Sequence, residues 1–83
     1  MPTVKLLTPG QCRAARGFLN WTQDDLAERS GLCRSTVRDF EKGRHDLHLT
    51  SAQQIVQTLE EAGILLTSSE ENGPGVFLKG PAA

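Results

Sequence analysis

Thr22-Gln-Asp-Asp-Leu-Ala-Glu-Arg-Ser-Gly-Leu-Cys-Arg-Ser-Thr-Val-Arg-Asp-Phe-Glu-Lys-Gly43 reads as two short helices joined by a tight turn at Gly31. Thr22 is a capping side chain with Asp25 at the capping-box position. Trp21 and Leu26 flank it at the two positions of a hydrophobic staple. Asp24 and Asp25 put negative charge at the positive end of the helix dipole. This helix is expected to end near Ser30, where Gly31 supplies the left-handed backbone of an abrupt exit. Leu32 and Val37 form the staple of the following helix. Cys33 stands at its cap, a poorer capping residue than Ser or Thr. That helix is expected to end at Lys42, with Gly43 as its terminator. It divides by face: Leu32, Val37 and Phe40 inward, Arg34, Ser35, Arg38 and Asp39 outward. A helix with one packing side and one cationic side suits entry into a DNA major groove.

Working outward, Thr8-Pro-Gly-Gln11 opens an earlier helix: Thr8 caps, Pro9 takes the first helical position and Gln11 completes a capping box. Leu7 and Cys12 form its staple, and Cys12, Ala15 and Leu19 recur at inward spacing to about Leu19. Arg44 to Leu49 is a polar connector. A fourth helix is expected from a Thr50 cap, with Gln53 closing its box; Ile55, Val56, Leu59 and Ala62 share one face, and Gly63 ends it. Beyond that the period changes. Ile64-Leu-Leu66 and Val76-Phe-Leu78 are short apolar runs around a polar stretch, Thr67 to Gly75, which predicts a β-hairpin with a loose loop. A lone hairpin is marginal in water, so it must pack on the helices, on a second copy, or both. Gly80-Pro-Ala-Ala83 is expected to fray.

The 83 residues suffice for one small domain, expected over 1–83 with a helical core over 8–62 and the hairpin over 63–79. Small domains bury a modest share of their surface, and oligomerisation is one way to reinforce them. The net charge of −1 hides an asymmetry. Residues 1–49 hold eight Lys/Arg against six acids, whereas residues 50–83 hold one lysine against four. A cationic end and an acidic end suit a molecule that meets phosphate with one side only. No apolar run approaches a membrane span, and the opening Met1-Pro-Thr-Val-Lys-Leu-Leu7 holds no signal-peptide core. A cytoplasmic protein is expected, with Cys12 and Cys33 as free thiols.

The run Gln23-x-x-Leu26-Ala27-x-x-Ser30-Gly31-Leu32-x-x-x-Thr36-Val37-x-x-Phe40-Glu41-x-Gly43 resembles the signature of the lambda-repressor/Cro-like helix-turn-helix regulators, the XRE family. The resemblance covers residues 8–62. The tail is similar to that of small bacterial members, in the helix end Leu59 to Ile64 and the Gly-Pro-Gly-Val of Gly73 to Val76. It implies a mostly α fold of four helices, here with a C-terminal β-hairpin, and sequence-specific binding of double-stranded DNA by a repressor. It also implies roles. Arg34, Ser35 and Asp39 match base-reading positions, with Arg38 one turn beyond Arg34. Thr22, Gln23, Lys42 and Arg44 match phosphate contacts, and Arg16 and Glu41 match an internal ion pair. The implied partner is a palindromic operator bound by a homodimer. The hairpin, through Leu65, Val76 and Leu78, is the expected dimer surface. Two departures stand out: Cys33 in place of a hydroxyl cap, and the acid Asp39 on a face that meets a polyanion.

Other chemistries find little support. Trp21, Phe18, Phe40 and Phe77 sit at apolar positions, which reads as core and not as a stacking groove for single strands. His45 and His48 match no zinc spacing, so no metal or cofactor is expected. No phosphate loop, nucleophile elbow or inward carboxylate pair suggests an enzyme; Glu60-Glu61 and Glu70-Glu71 lie in polar stretches. Two alternatives share the helix-turn-helix. One is an antitoxin that also wraps a toxin. The other is a protein-interaction module that has lost DNA, whose contacts would lack the steep salt dependence of phosphate binding.

Overall fold

The computed structural model describes residues 6–79, which form α1 (Pro9–Leu19), α2 (Gln23–Ser30), α3 (Arg34–Glu41), α4 (Leu49–Glu61), β1 (Ile64–Ser69) and β2 (Gly73–Leu78). The expected fraying of Gly80 to Ala83 lies outside the described residues.

Three of the helices end in the same way. Asn20, Gly31 and Gly43 adopt left-handed backbone, with φ of 58°, 76° and 76°. At each exit the next N–H reaches back five residues: Trp21 to the Arg16 carbonyl, Leu32 to Ala27 and Arg44 to Asp39, all at 2.9 Å. Carbonyls that a helix end leaves unpaired are thereby satisfied. Trp21 and Leu32 do double duty, since each also precedes the cap of the next helix as its staple residue. The linkers Asn20-Trp21-Thr22 and Gly31-Leu32-Cys33 thus repeat one pattern: a left-handed residue, an apolar residue and a cap.

The starts of α1 and α2 are as the sequence predicts. Thr8 with Gln11, and Thr22 with Asp25, form complete capping boxes. Bonds from the Thr22 backbone and side chain hold the Asp25 carboxyl below its ordinary range. Cys33 caps α3 without a side-chain hydrogen bond.

The core draws on every layer: Cys12 and Ala15 from α1, Leu26 and Ala27 from α2, Val37 and Phe40 from α3, Ala52, Ile55 and Leu59 from α4, and Ile64 from β1. Each fully buried Leu or Ile contributes about 1.5–3 kcal/mol over an exposed one. α2 packs on α3 and α4, α1 on α3 and β2, and α4 on β1.

Three expectations need correction. The fourth helix begins at Leu49 with His48 as its cap, so Thr50 lies inside the helix and Gln53 closes no box. The reason is apolar: Leu47 packs against the core and Ala52 is buried, at the spacing of a staple around His48. That contact outweighs one exposed hydroxyl bond.

The hairpin loop is shorter than the polar composition suggests. The ladder pairs Ile64 with Leu78 through Ser69 with Gly73, leaving residues 70–72 as the loop. Ladder bonds join backbone to backbone and do not require apolar side chains. Gly73 at a φ of 72° and a bond from the Asn72 N–H to Ser69 Oγ close the turn.

The aromatics also divide. Phe40 is buried and Trp21 is half-buried beneath the Arg29 guanidinium, 4.6 Å from its ring centre. Phe18 and Phe77 are 52% and 59% exposed. The small domain has too little interior for all four. Of the residues expected on the dimer surface, Leu65 and Leu78 are 41% and 42% exposed, whereas Val76 packs on the core. Val76 and Leu66 turn inward onto the core, while Leu65 and Phe77 face each other on the outer side of the sheet. Leu78, opposite Ile64 at the open end of the hairpin, is partly exposed.

Gln11 ties the hairpin to α1. Its Oε1 accepts from the Thr8 N–H at 2.8 Å, and its Nε2 donates to the carbonyls of Thr67 at 2.9 Å and Gly75 at 3.0 Å. Across the ladder, a Cβ at Gly75 would lie 2.6 Å from Thr67 Oγ1, so a larger residue there would force that hydroxyl to shift.

Candidate nucleic-acid interface

The inner end of α3 is locked by Glu41, a carboxylate 2% exposed. Arg16 grips it from α1 with both ends of its fork, Nη2 to Oε1 at 2.6 Å and Nε to Oε2 at 2.7 Å. Cys12 Sγ, one turn earlier on α1, donates to Oε2 at 3.1 Å, and Gln23 Nε2 donates from α2 to Oε1 at 3.1 Å. The Arg13 guanidinium donates to the Glu41 carbonyl. Arg16 also donates to the Trp21 carbonyl at 3.1 Å, binding the α1–α2 joint into the same network.

Burial alone would raise the Glu41 carboxyl. The bonds from Arg16, Gln23 and Cys12 outweigh it and hold the group below the ordinary carboxylate range. Its bond to Glu41 raises Arg16 further, so the guanidinium stays charged. Burial first, and then the bond to Glu41, pushes the Cys12 thiol far up, so it remains a neutral donor. Three helices therefore meet at one satisfied carboxylate, and α3 is held firmly against α1 and α2.

The outer flank of α3 is open. Arg34 and Ser35 are exposed; Arg38 and Asp39 are half-buried. Lys42 and Arg44 follow, both exposed, with Arg44 positioned by the left-handed exit of α3. The N-terminus of α2 lies alongside, for Asp24 Oδ1 is 3.2 Å from Arg34 Nε. Thr22 is exposed there, its hydroxyl accepting from the Asp25 N–H and keeping its own proton to donate. The capping box satisfies the N–H groups of Thr22 and Asp25, so those of Gln23 and Asp24 remain as first-turn donors suited to an anion. Gln23 is half-committed: one amide proton goes to Glu41, leaving the other and the carbonyl.

Sequence reasoning paired Arg16 with Glu41 but missed the links to Cys12 and Gln23. The spacing of Cys12 and Arg16, four apart on one helix face, was the available signal. It also missed the Arg34–Asp24 contact. His45 and His48 are exposed in the connector and its end. Cys12 and Cys33 are both free thiols, the first buried and the second exposed. Among the described residues, no helix is long and apolar enough to cross a membrane.

Residues 13–62 match the helix-turn-helix family. Over 47 residues the chain is 43% identical to an uncharacterised HTH-type transcriptional regulator of Methanothermobacter thermautotrophicus, spanning 57% of this chain and 68% of that protein. Among solved structures it is similar to the restriction-modification controller protein C.AhdI from Aeromonas hydrophila, with a TM-score of 0.60 and 30% identity. That match covers 69% of this chain and 83% of the other.

Proposed function

The chain belongs to the XRE-type helix-turn-helix family of DNA-binding transcriptional regulators, and from that premise we propose that it is a repressor that reads a palindromic operator as a homodimer. The observation that carries this reading is the division of α3: its inner end is gripped by Arg16, Cys12 and Gln23 through Glu41, while its cationic flank is open to solvent. A rigid helix with a free basic flank can lie in a major groove without rearrangement of the fold.

In this arrangement Arg34, Ser35, Arg38 and Asp39 face base edges. Arginine forks suit guanine, and an aspartate oxygen suits the cytosine amino group. Thr22 and Gln23 meet a phosphate on one side of the groove, and Lys42 and Arg44 meet phosphates on the other. Arg16 and Glu41 serve by orientation. One small module makes few base contacts, and a second copy doubles them. The outward pair Leu65 and Phe77 gives the hairpin an apolar face for that copy, with half-sites about 34 Å apart along the duplex.

Selection of bound sequences from a random double-stranded DNA pool tests this directly. A two-fold symmetric consensus is expected, with binding that weakens steeply as salt rises. Failure to enrich any sequence, together with salt-insensitive binding, would exclude the DNA reading. Sedimentation is expected to show a dimer, and Phe77→Asp is expected to reduce it to monomer. A wild-type chain that stays monomeric both free and on DNA would exclude the dimer.

A further inference from the structure

Both arginines on the outward flank of α3 lie against a carboxylate, and both at the same atom. Arg34 Nε is 3.2 Å from Asp24 Oδ1, reaching from α3 to the first turn of α2. Arg38 Nε donates to Asp39 Oδ1 at 3.3 Å. The contact at Arg34 is open to water, with the two side chains 65% and 66% exposed.

The choice of atom has a chemical consequence. A guanidinium can present two pairs of parallel donors, the terminal pair Nη1 and Nη2 or the lateral pair formed with Nε. A carboxylate beside Nε, an ion pair at Arg34 and a hydrogen bond at Arg38, draws the lateral edge toward itself and leaves the terminal fork the freer of the two. Guanine offers O6 and N7 side by side in the major groove, a match for such a fork. The carboxylate also restrains a long side chain that would otherwise lose rotamer freedom on docking. Negative charge on this surface opposes phosphate whatever the sequence. An acid placed here therefore lowers indiscriminate binding and favours the one base that rewards a terminal fork.

We propose that Asp24 is a specificity-determining positioning residue that aims the terminal fork of Arg34 at guanine, and that Asp39 does the same for Arg38. The proposal rests on the DNA-binding reading above. It states that each half-site carries guanine at the position lost from the consensus of Arg34→Ala.

The test measures affinities of the full chain, wild type, Asp24→Asn and Asp24→Glu, for duplexes carrying each of the four base pairs at that position and for a random-sequence duplex. Wild type is expected to prefer guanine by about tenfold or more. Asp24→Asn is expected to lose most of that preference while binding the random duplex about two- to fivefold more tightly. Asp24→Glu, which keeps a carboxylate within reach of Nε, is expected to retain the preference in part. Thermal melting checks that each variant is folded. If Asp24→Asn tightens binding to all four duplexes alike and keeps the guanine preference, Asp24 is a plain surface charge and the inference fails. It fails equally if the position read by Arg34 is not guanine. A wild type that selects no sequence removes the DNA reading itself, an outcome distinct from either.

Discussion

Two arginine–carboxylate contacts lie on opposite sides of the recognition segment, and they behave as different materials. Arg16 and Glu41 meet through two short bonds with the carboxylate fully buried and its remaining capacity taken up by Cys12 and Gln23. Arg34 and Asp24 meet at one atom pair, two-thirds exposed. The chemistry is the same; the solvent is not. A buried ion pair cannot be broken on one side without stranding a charge. An exposed one competes with water throughout and contributes little to stability. The inner contact is therefore suited to holding α3 in place, and the outer one to orienting a side chain on a surface that stays open to a nucleic acid.

The sharpest way to break this contrast is at its inner end. Glu41→Ala should destabilise the fold by about 3–5 kcal/mol, because it leaves Arg16 charged and poorly solvated. Denaturant unfolding measures it. A loss under about 1 kcal/mol would place the inner pair in the same class as the outer one.

At the outer end the loss should appear in binding and not in folding. Arg34→Ala should lower operator affinity by about 1–3 kcal/mol and relax the choice at one base pair, with an unchanged unfolding midpoint. Lys42→Ala should weaken all sequences alike and reduce the salt slope by about 1. Fluorescence anisotropy titrations on a family of single-base variants separate the two.

Acid should affect the inner end selectively. The Glu41 carboxyl is held below its unfolded value, so its contribution is present above about pH 4.3 and is lost as the pH falls toward the folded value. Thermal midpoints followed from pH 6 downward should decline below that point. In Glu41→Gln this part of the decline should flatten, and an unaltered slope would remove Glu41 as its source.

The smallest effect should be that of Asp24→Asn on stability, within about 1 kcal/mol. Its reading in base preference is what matters. A large loss of stability in this variant would mean that the outer contact also supports the fold.

Much of this molecule was legible in single residues. The capping boxes at Thr8 and Thr22 and the exit at Gly31 depend on neighbours within a few positions, as does the staple of Leu32 and Val37, so local patterns suffice to find them. The start of α4 was misread for the opposite reason. A hydroxyl at 50 is a visible cap, but the burial of Leu47 and Ala52, which sets the start at His48, depends on helices elsewhere in the chain. The hairpin strands were found by their apolar ends. Their polar halves were not, because backbone pairing leaves no mark in composition.

By itself, then, the sequence determined the local grammar of α1, α2 and α3 and the cationic character of one flank, since caps, left-handed exits and 3.6-residue periodicity act over one or two turns. Only the tertiary structure decided that Cys12 and Gln23 join Arg16 on Glu41, that Gln11 holds the hairpin, that Leu65 and Phe77 face outward, and that Asp24 meets Arg34. Each of these joins residues from separate elements or depends on which face of the sheet the helices cover. Such contacts are set by how whole elements pack, and no short stretch of chain contains that information.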